Sequence, residues 1–187
     1  KFDSSLDMRM NTDSSLTAIN VVNEYTEKEL SDIFFYYGDF KDSKKIAKQI
    51  FNKRNEKKII STYDLVDALD GLFSEKNRNK YLARIFQAIR IEVNDEINSL
   101  KKLLNDATEL LKSEGRLVVI SYHSLEDRLV KNLINKGSID GESNQDFFGR
   151  VTKIYSPINK KVIIPNDEEG KKNKRSRSAK LRIAEKI

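Results

Sequence analysis

The residues best placed to do chemistry lie in one polar turn, Ser121-Tyr122-His123-Ser124, between an apolar run and a helical pattern. Leu117 to Ile120 reads as a buried strand, and Leu125, Leu129, Leu133 and Ile134 recur at helical spacing. Strand, polar turn and helix form the α/β unit in which ligands sit at the carboxyl end of the strand. His123 is the only histidine in the chain. A neutral imidazole there could position an amino group or accept its hydrogen bond; alternatively it is a structural hydrogen-bonding residue. The structural reading is preferred for His123 as proton acceptor, and the functional reading for the turn as a pocket wall. Ser124 is expected to cap the following helix. Glu126 and Asp127 suit the positive end of that helix without any function, and Arg128 is expected to pair with a nearby carboxylate.

Other polar groups are weighed the same way. Arg90, Asn94 and Asp95 fall within about one helical turn, interleaved with Phe86, Ile89, Val93 and Ile97. That pattern reads as a helix buried on more than one side, with Arg90 and Asn94 in an internal network or lining a cleft. Asp7 and Arg9 could pair with each other or lock their loop. Phe34-Phe35-Tyr36-Tyr37 could offer stacking platforms to single-stranded RNA, but on a helix most of them are expected in a core. Lys171 to Arg177 is a basic run of the kind that binds phosphates, with Lys174, Arg175 and Arg177 as candidates. With one histidine and no cysteine, no structural zinc site is expected, and no Gly-rich phosphate loop or nucleophile–base pair is present.

The elements that must position these groups follow from pattern and composition. Helices are read across Leu16–Asn23, after the capping-box spacing of Thr26 to Glu29, across Ser43–Arg54, and after Ser61-Thr62. Together they form a helical subdomain over residues 14–75. The pattern stays helical from Asn79 to Lys112, as two helices or one bent one. Lys136 to Gln145 is read as a polar loop, Val151 to Ile164 as two short strands or an extended run, and Asn166 to Ser176 as a charged loop. Ser178 to Ile187 alternates as a strand. Residues 150–187 carry 12 Lys/Arg and 4 Asp/Glu, a net +8, while the other 149 residues carry 23 and 25, a net −2. The basic excess is thus assigned to the C-terminal segment, either for phosphate contacts or as a solvated loop. No apolar stretch approaches membrane-spanning length. The absence of cysteine fits a reducing cytoplasm. The chain begins with Lys1, and is expected to be a piece of something longer or a processed chain.

Taken in order, four segments resemble the RsmH family, also called MraW. Leu6 to Met10 is similar to its LDMRM segment, and Phe86 to Glu96 to its FQALRIxVNxEL helix. Gly115 to Lys131 resembles its GGRLxxISFHSLEDRxVK segment, with Glu114 for the first Gly and Tyr122 for Phe. Arg175 to Glu185 is similar to its RARSAKLRxAE ending. Ser5 and Asn11 replace the Pro and Asp that usually flank LDMRM. The resemblance implies an S-adenosylmethionine-dependent methyltransferase acting on N4 of a cytidine in the decoding centre of bacterial small-subunit rRNA. It implies an α/β fold in which this chain is the C-terminal part of a Rossmann-like class I sheet with a helical insertion. Residues 1–13 would connect to a missing core, 14–75 form the insertion and 76–187 complete the sheet. The family's Gly-rich cofactor loop, ribose acid and DLGVSS segment have no counterpart here. The fragment alone is therefore expected to bind S-adenosylmethionine poorly and to be inactive.

In that reading Ser121, His123 and Ser124 wall the target base, Arg90 and Asn94 support it, and Arg128, Lys174, Arg175 and Arg177 meet RNA. The expected partner is rRNA or the small ribosomal subunit, in the cytoplasm, with no membrane. Such transfer depends on placement more than on a strong base. The strand Leu117–Ile120 would lack a neighbour, so homodimerisation, strand exchange or a preceding segment is expected. The alternative function is a non-catalytic RNA- or ribosome-binding module.

Overall fold

The computed structural model describes residues 3–142, 153–159 and 161–187. Part of the expected polar loop and the start of the expected extended run lie outside the described residues. The chain divides into two compact units, one up to Glu96 and one from Ile97.

The first unit is helical: α1 (Ala18–Glu24), α2 (Glu27–Tyr36), α3 (Ser43–Glu56), α4 (Thr62–Ala68) and α5 (Glu75–Val93). The helix starts follow local chemistry. Thr17, Thr26 and Ser61 each accept a hydrogen bond from the backbone N–H three residues on, and Asn20, Glu29 and Asp64 reach back to complete capping boxes. The apolar faces meet in one core that includes Leu6, Val22, Phe34, Ile50, Leu65 and Ile89. The aromatic run divides: Phe34 is buried, while Phe35 and Tyr36 are 52% and 62% exposed. Three consecutive helical positions and the C-cap after them point in different directions, so one face cannot bury them all. Buried residues on α5 include Ile85, Ile89, Ile91 and Val93, so this helix is covered on more than one side.

The long helical pattern is two helices. It breaks at Asn94-Asp95, where Asp95 takes φ 47°, and resumes as α6 (Glu96–Leu110). The second unit then adds β1 (Arg116–Ser121), α7 (Ser124–Lys136), β2 (Tyr155–Pro157), α8 (Asp167–Lys172), a 3-10 turn at Ser176–Ser178 and β3 (Lys180–Lys186). The three strands form an antiparallel sheet in the order β1-β3-β2. Val118 stands opposite Ile183 and Ile120 opposite Leu181. Ile163 adds a single bridge to Leu181. Leu117, Val130, Leu133, Tyr155 and Ala184 pack with Leu104 in a second core. The other face of β1 leaves Val118 and Ile120 58% and 55% exposed at a sheet edge.

Three expectations are corrected. The strand expected to be buried is covered on one face only, because β1 is an edge strand packed on the second core with Leu117 as its one buried apolar residue. The charged loop after Pro165 contains α8, because Asn166 caps it, three acidic residues fill its first turn and Lys171-Lys172 its last. The cap of α7 is His123, not Ser124: His123 Nδ1 accepts from Glu126 N–H, and Ser124 is the first helical residue.

The link into β1 is tight. Gly115 lies where a Cβ would come within 2.8 Å of the Lys112 carbonyl oxygen. Glu114 takes φ 68°, a left-handed conformation that costs a side-chain-bearing residue roughly 1–2 kcal/mol. Glycine at that position would remove the strain but loosen the unfolded chain. Glu114→Gly is therefore expected to raise stability by up to about 1 kcal/mol, and Gly115→Ala to lower it, as read from urea denaturation midpoints.

Candidate functional site

In the first unit the Leu6–Met10 segment is anchored from both sides. Leu6 is fully buried and its N–H donates to the Ile60 carbonyl at 3.0 Å. Arg9 grips Asp7 through two parallel bonds, Nε to Oδ1 at 2.7 Å and Nη2 to Oδ2 at 2.9 Å. Its remaining nitrogen, Nη1, donates to the carbonyls of Thr12 and Ser14, both at 2.7 Å. Asp7 and Arg9 thus both pair and lock the loop. The Arg9 guanidinium holds the Asp7 carboxyl well below its ordinary value, at about 2.

Asn94 ties this loop to the end of α5. Its Oδ1 accepts the Met10 N–H at 2.7 Å, and its Nδ2 donates to the Met8 carbonyl at 2.9 Å and to the Arg90 carbonyl at 2.9 Å. Met8 between these contacts takes φ 63°. Arg90 forms a two-pronged pair with Glu96, at 2.7 and 3.0 Å. Of the two alternatives expected for these residues, Asn94 belongs to the internal network and Arg90 to both the network and a cleft. Arg90 also lines a groove of about 590 Å³ with Met8, Met10, Phe86 and Gln87, and Met10 is 69% exposed beside it.

In the second unit the Ser121–Ser124 turn links β1 to α7. Ser121 is buried and its hydroxyl lies 3.4 Å from the Lys180 carbonyl, to which it donates. Because His123 Nδ1 accepts a backbone N–H, the ring proton of a neutral His123 sits on Nε2. That Nε2 is buried and lies 3.2 Å from Glu126 Oε1, but not aligned for a hydrogen bond. Glu126 accepts from the N–H groups of Tyr122 and His123. Burial alone would raise its pKa; the His123 ring and these N–H groups outweigh burial and lower it. The exposed parts of the turn are Ser124 and Tyr122, the latter 54% exposed.

Asp127, one residue on, is buried. It pairs with Arg182 at 2.7 and 3.2 Å and with Lys180 at 3.1 Å. Burial opposes its ionisation; Arg182 and then Lys180 overcome it and lower the pKa. Arg128 itself points outward and has no carboxylate partner among the described residues, because Asp127, not Arg128, is on the inner side of α7. Lys174, Arg175 and Arg177 are exposed just ahead of β3. Ser176 between them is buried and its hydroxyl donates to the Asn173 carbonyl, which fixes the loop's shape. The β1–β3 register brings Ser121 opposite Lys180, so the turn and the basic segment meet at one end of the sheet.

The candidate residues therefore divide between the units, Arg90 and Asn94 in the first and the rest in the second. Tyr122 and the Asp127–Arg182–Lys180 cluster were not among the expected site residues. An aromatic inside an otherwise polar turn was the available signal for Tyr122; nothing local announces a contact between Asp127 and a strand more than 50 residues away. Among the described residues no cluster of His, Cys, Asp and Glu could hold a metal, and no helix is long and apolar enough to cross a membrane.

A mostly helical chain with a small open sheet, whose strand–turn–helix presents a polar end, has the character of a partial α/β methyltransferase-like fold. The sequence profile of the MraW methylase family matches residues 1–187, and the chain belongs to that family. It is 49% identical over 187 residues to a protein of Parabacteroides distasonis named ribosomal RNA small subunit methyltransferase H. Proteins of the same name from Bacteroides fragilis and Flavobacterium johnsoniae are each 50% identical, over 186 and 187 residues. In each case all of this chain aligns, against 61%, 61% and 62% of the relative. The chain thus spans less than two thirds of the length of these relatives.

Removing the Asn94 amide takes a donor from the partly buried Met8 carbonyl and leaves the Met10 N–H to water. Asn94→Ala is expected to cost about 1 kcal/mol and to speed hydrogen exchange at the Met10 amide well before the core opens. The Asp7–Arg9 lock has its own pH signature. Its carboxyl is lowered from 3.8 to about 2, so its stabilisation is complete above about pH 4 and disappears as pH falls towards 2. Acid titration of Asp7 followed by carboxyl NMR shifts is expected to show that midpoint in the wild type and one near 4 in Arg9→Ala.

Proposed function

We propose that this chain is the C-terminal part of an rRNA methyltransferase that transfers a methyl group from S-adenosylmethionine to N4 of a cytidine in the decoding centre of bacterial small-subunit rRNA. The family match along the entire chain carries this reading. Residues 14–75 are the helical insertion and residues 76–187 the last part of a Rossmann-like class I sheet, with residues 1–13 leading from the segment that holds the cofactor. The protein works in the cytoplasm on rRNA or the small subunit.

Within this division of labour the β1–α7 turn is a wall beside the target cytosine. Tyr122 and Ser124 present its outer surface, while Ser121 and His123 hold the turn in shape from beneath. Arg90 and Asn94 act as supports by fixing the Leu6–Met10 loop. Arg128, Lys174, Arg175 and Arg177 meet RNA phosphates, which gives affinity without sequence choice. A cytosine within a helix would have to be displaced to reach the wall.

The carboxylates nearest the turn and the groove are already engaged. A nucleoside cofactor calls for an acidic group free to bind ribose hydroxyls. Near the turn, Glu126 is taken by backbone N–H groups and Asp127 by Arg182 and Lys180; beside the groove, Asp7 is taken by Arg9. This supports poor binding by the chain alone. The open edge of β1 is where a further segment of the longer protein pairs, or, in its absence, a second copy.

The test compares this chain with the protein completed to the length of its relatives. Mass spectrometry of rRNA nucleosides is expected to find N4-methylcytidine with the completed protein and none with the chain alone. Tight stoichiometric S-adenosylmethionine binding by the chain alone, in a calorimetric titration, would refute the assignment of the donor pocket elsewhere. In the completed protein, Lys174→Glu/Arg175→Glu/Arg177→Glu is expected to weaken RNA binding uniformly across sequences and to reduce the salt slope by up to about 3.

A further inference from the structure

Outside the sites above, the helical unit contains a cavity of about 540 Å³ between the start of α3, the loop before it and the start of α5. That volume suits a nucleotide-sized ligand. One wall is aromatic: Phe73 and Tyr81 lie 4.8 Å apart between centroids, with Phe40 stacked behind Phe73 at 6.3 Å. Phe40 is buried, whereas Phe73 and Tyr81 are only partly covered and line the cavity. Asn77 adds an amide that can both donate and accept.

The cations at this cavity are of two kinds. Arg84 is committed: it donates to the Gly38 carbonyl at 2.9 and 2.6 Å and sits 4.3 Å from the Phe40 ring centre. It stiffens the wall. Lys41 and Lys45 are exposed at the rim and have no ion pair among the described residues. They continue into Lys44 and Lys48, also exposed on α3. Between residues 41 and 58 there are eight Lys/Arg and two Asp/Glu, a density that the balanced total charge of the first 149 residues conceals. Asp39 and Asp42 line the same cavity, so a bare phosphate would meet both signs of charge. A ligand that presents a flat ring to Phe73 and Tyr81 and a phosphate to the lysine rim satisfies both parts.

We propose that this cavity is a second nucleic-acid site, in which a base of single-stranded RNA stacks on Phe73 and Tyr81 while its backbone follows Lys41, Lys45, Lys44 and Lys48. Aromatic platforms beside a basic track are how single strands are held without sequence choice. The continuation of positive charge along α3 favours a polymer over a free nucleotide. The choice of RNA over DNA rests on the proposed function; the cavity and its track do not.

The experiment uses the whole chain and a labelled pyrimidine RNA of about eight nucleotides carrying 4-thiouridine. Anisotropy at low salt is expected to show roughly tenfold or greater weakening in Lys41→Glu/Lys45→Glu, with the thermal midpoint unchanged because both side chains are exposed. Photocrosslinks mapped by mass spectrometry are expected on Phe73 or Tyr81, and Phe73→Leu, which keeps the apolar core filled, is expected to remove the crosslink at position 73 and to weaken any at Tyr81. Unchanged affinity in the lysine variant, or crosslinks confined to the C-terminal basic segment, overturns the proposal. Cytidine monophosphate competing as well as the oligomer, or an RNA duplex competing equally, also overturns it. None of these readouts needs methyl transfer. A completed protein that fails to methylate but still crosslinks at Phe73 would defeat the proposed function and leave this site standing.

Discussion

The second unit is organised around the need to neutralise Asp127. A carboxylate this deeply buried is costly unless its charge is met and its lone pairs are filled. Arg182 and Lys180 do both, and they do so from β3 while Asp127 sits on the first turn of α7. The two cations alternate on the strand with Leu181 and Ile183, so their side chains share one face of the sheet. A slip of β3 by one residue would turn both cations away from Asp127 and send Leu181 and Ile183 into their place. The ion cluster and the β1–β3 register are therefore one constraint. That constraint sets where the Ser121–Ser124 turn lies against Lys180 and where the basic segment leading into β3 emerges.

A comparable economy governs the first unit. The Leu6–Met10 loop has no regular structure to satisfy its backbone, so its polar groups need partners elsewhere. Asn94 supplies both a donor and an acceptor from one side chain, and Arg9 closes the loop onto Asp7 and two carbonyls. An amide suits this because only a group with both functions can bridge a carbonyl and an N–H in succession. Asn94 is the C-cap of α5, and Asp95 after it, at φ 47°, turns the chain before α6 begins.

The parts of the molecule legible from local sequence are those whose cause is local. Thr26 with Glu29, and Ser61 with Asp64, announce helix starts because the capping bonds span three residues. The alternation of Ala179 to Ile183 announces a strand. The polar turn after Ile120 is equally visible, but the roles within it were not: a histidine in the extended conformation before a helix can cap through Nδ1 as a serine does, and the residue pattern does not distinguish them. The aromatic run shows the same limit, since which of Phe34 to Tyr37 are covered depends on the helices packed against α2. Charge counting found the C-terminal basic segment yet missed the lysines of α3, because acidic residues elsewhere in the first unit cancel them in any long sum.

The sequence by itself determined the helix starts after Thr26 and Ser61, the strand after Gly115, the strand that ends the chain and the motifs that place the chain in its family. These depend on neighbours within a helical turn or on alternation along a strand. Only the tertiary structure decided that Asp127 belongs to Arg182, that Asn94 holds Met8 and Met10, that Tyr122 rather than Ser121 faces outward, and that Phe73, Tyr81 and Lys45 surround one cavity. Each of those facts joins residues far apart in the chain, and pairing of that kind is set by packing and the burial of charge, which no local pattern encodes.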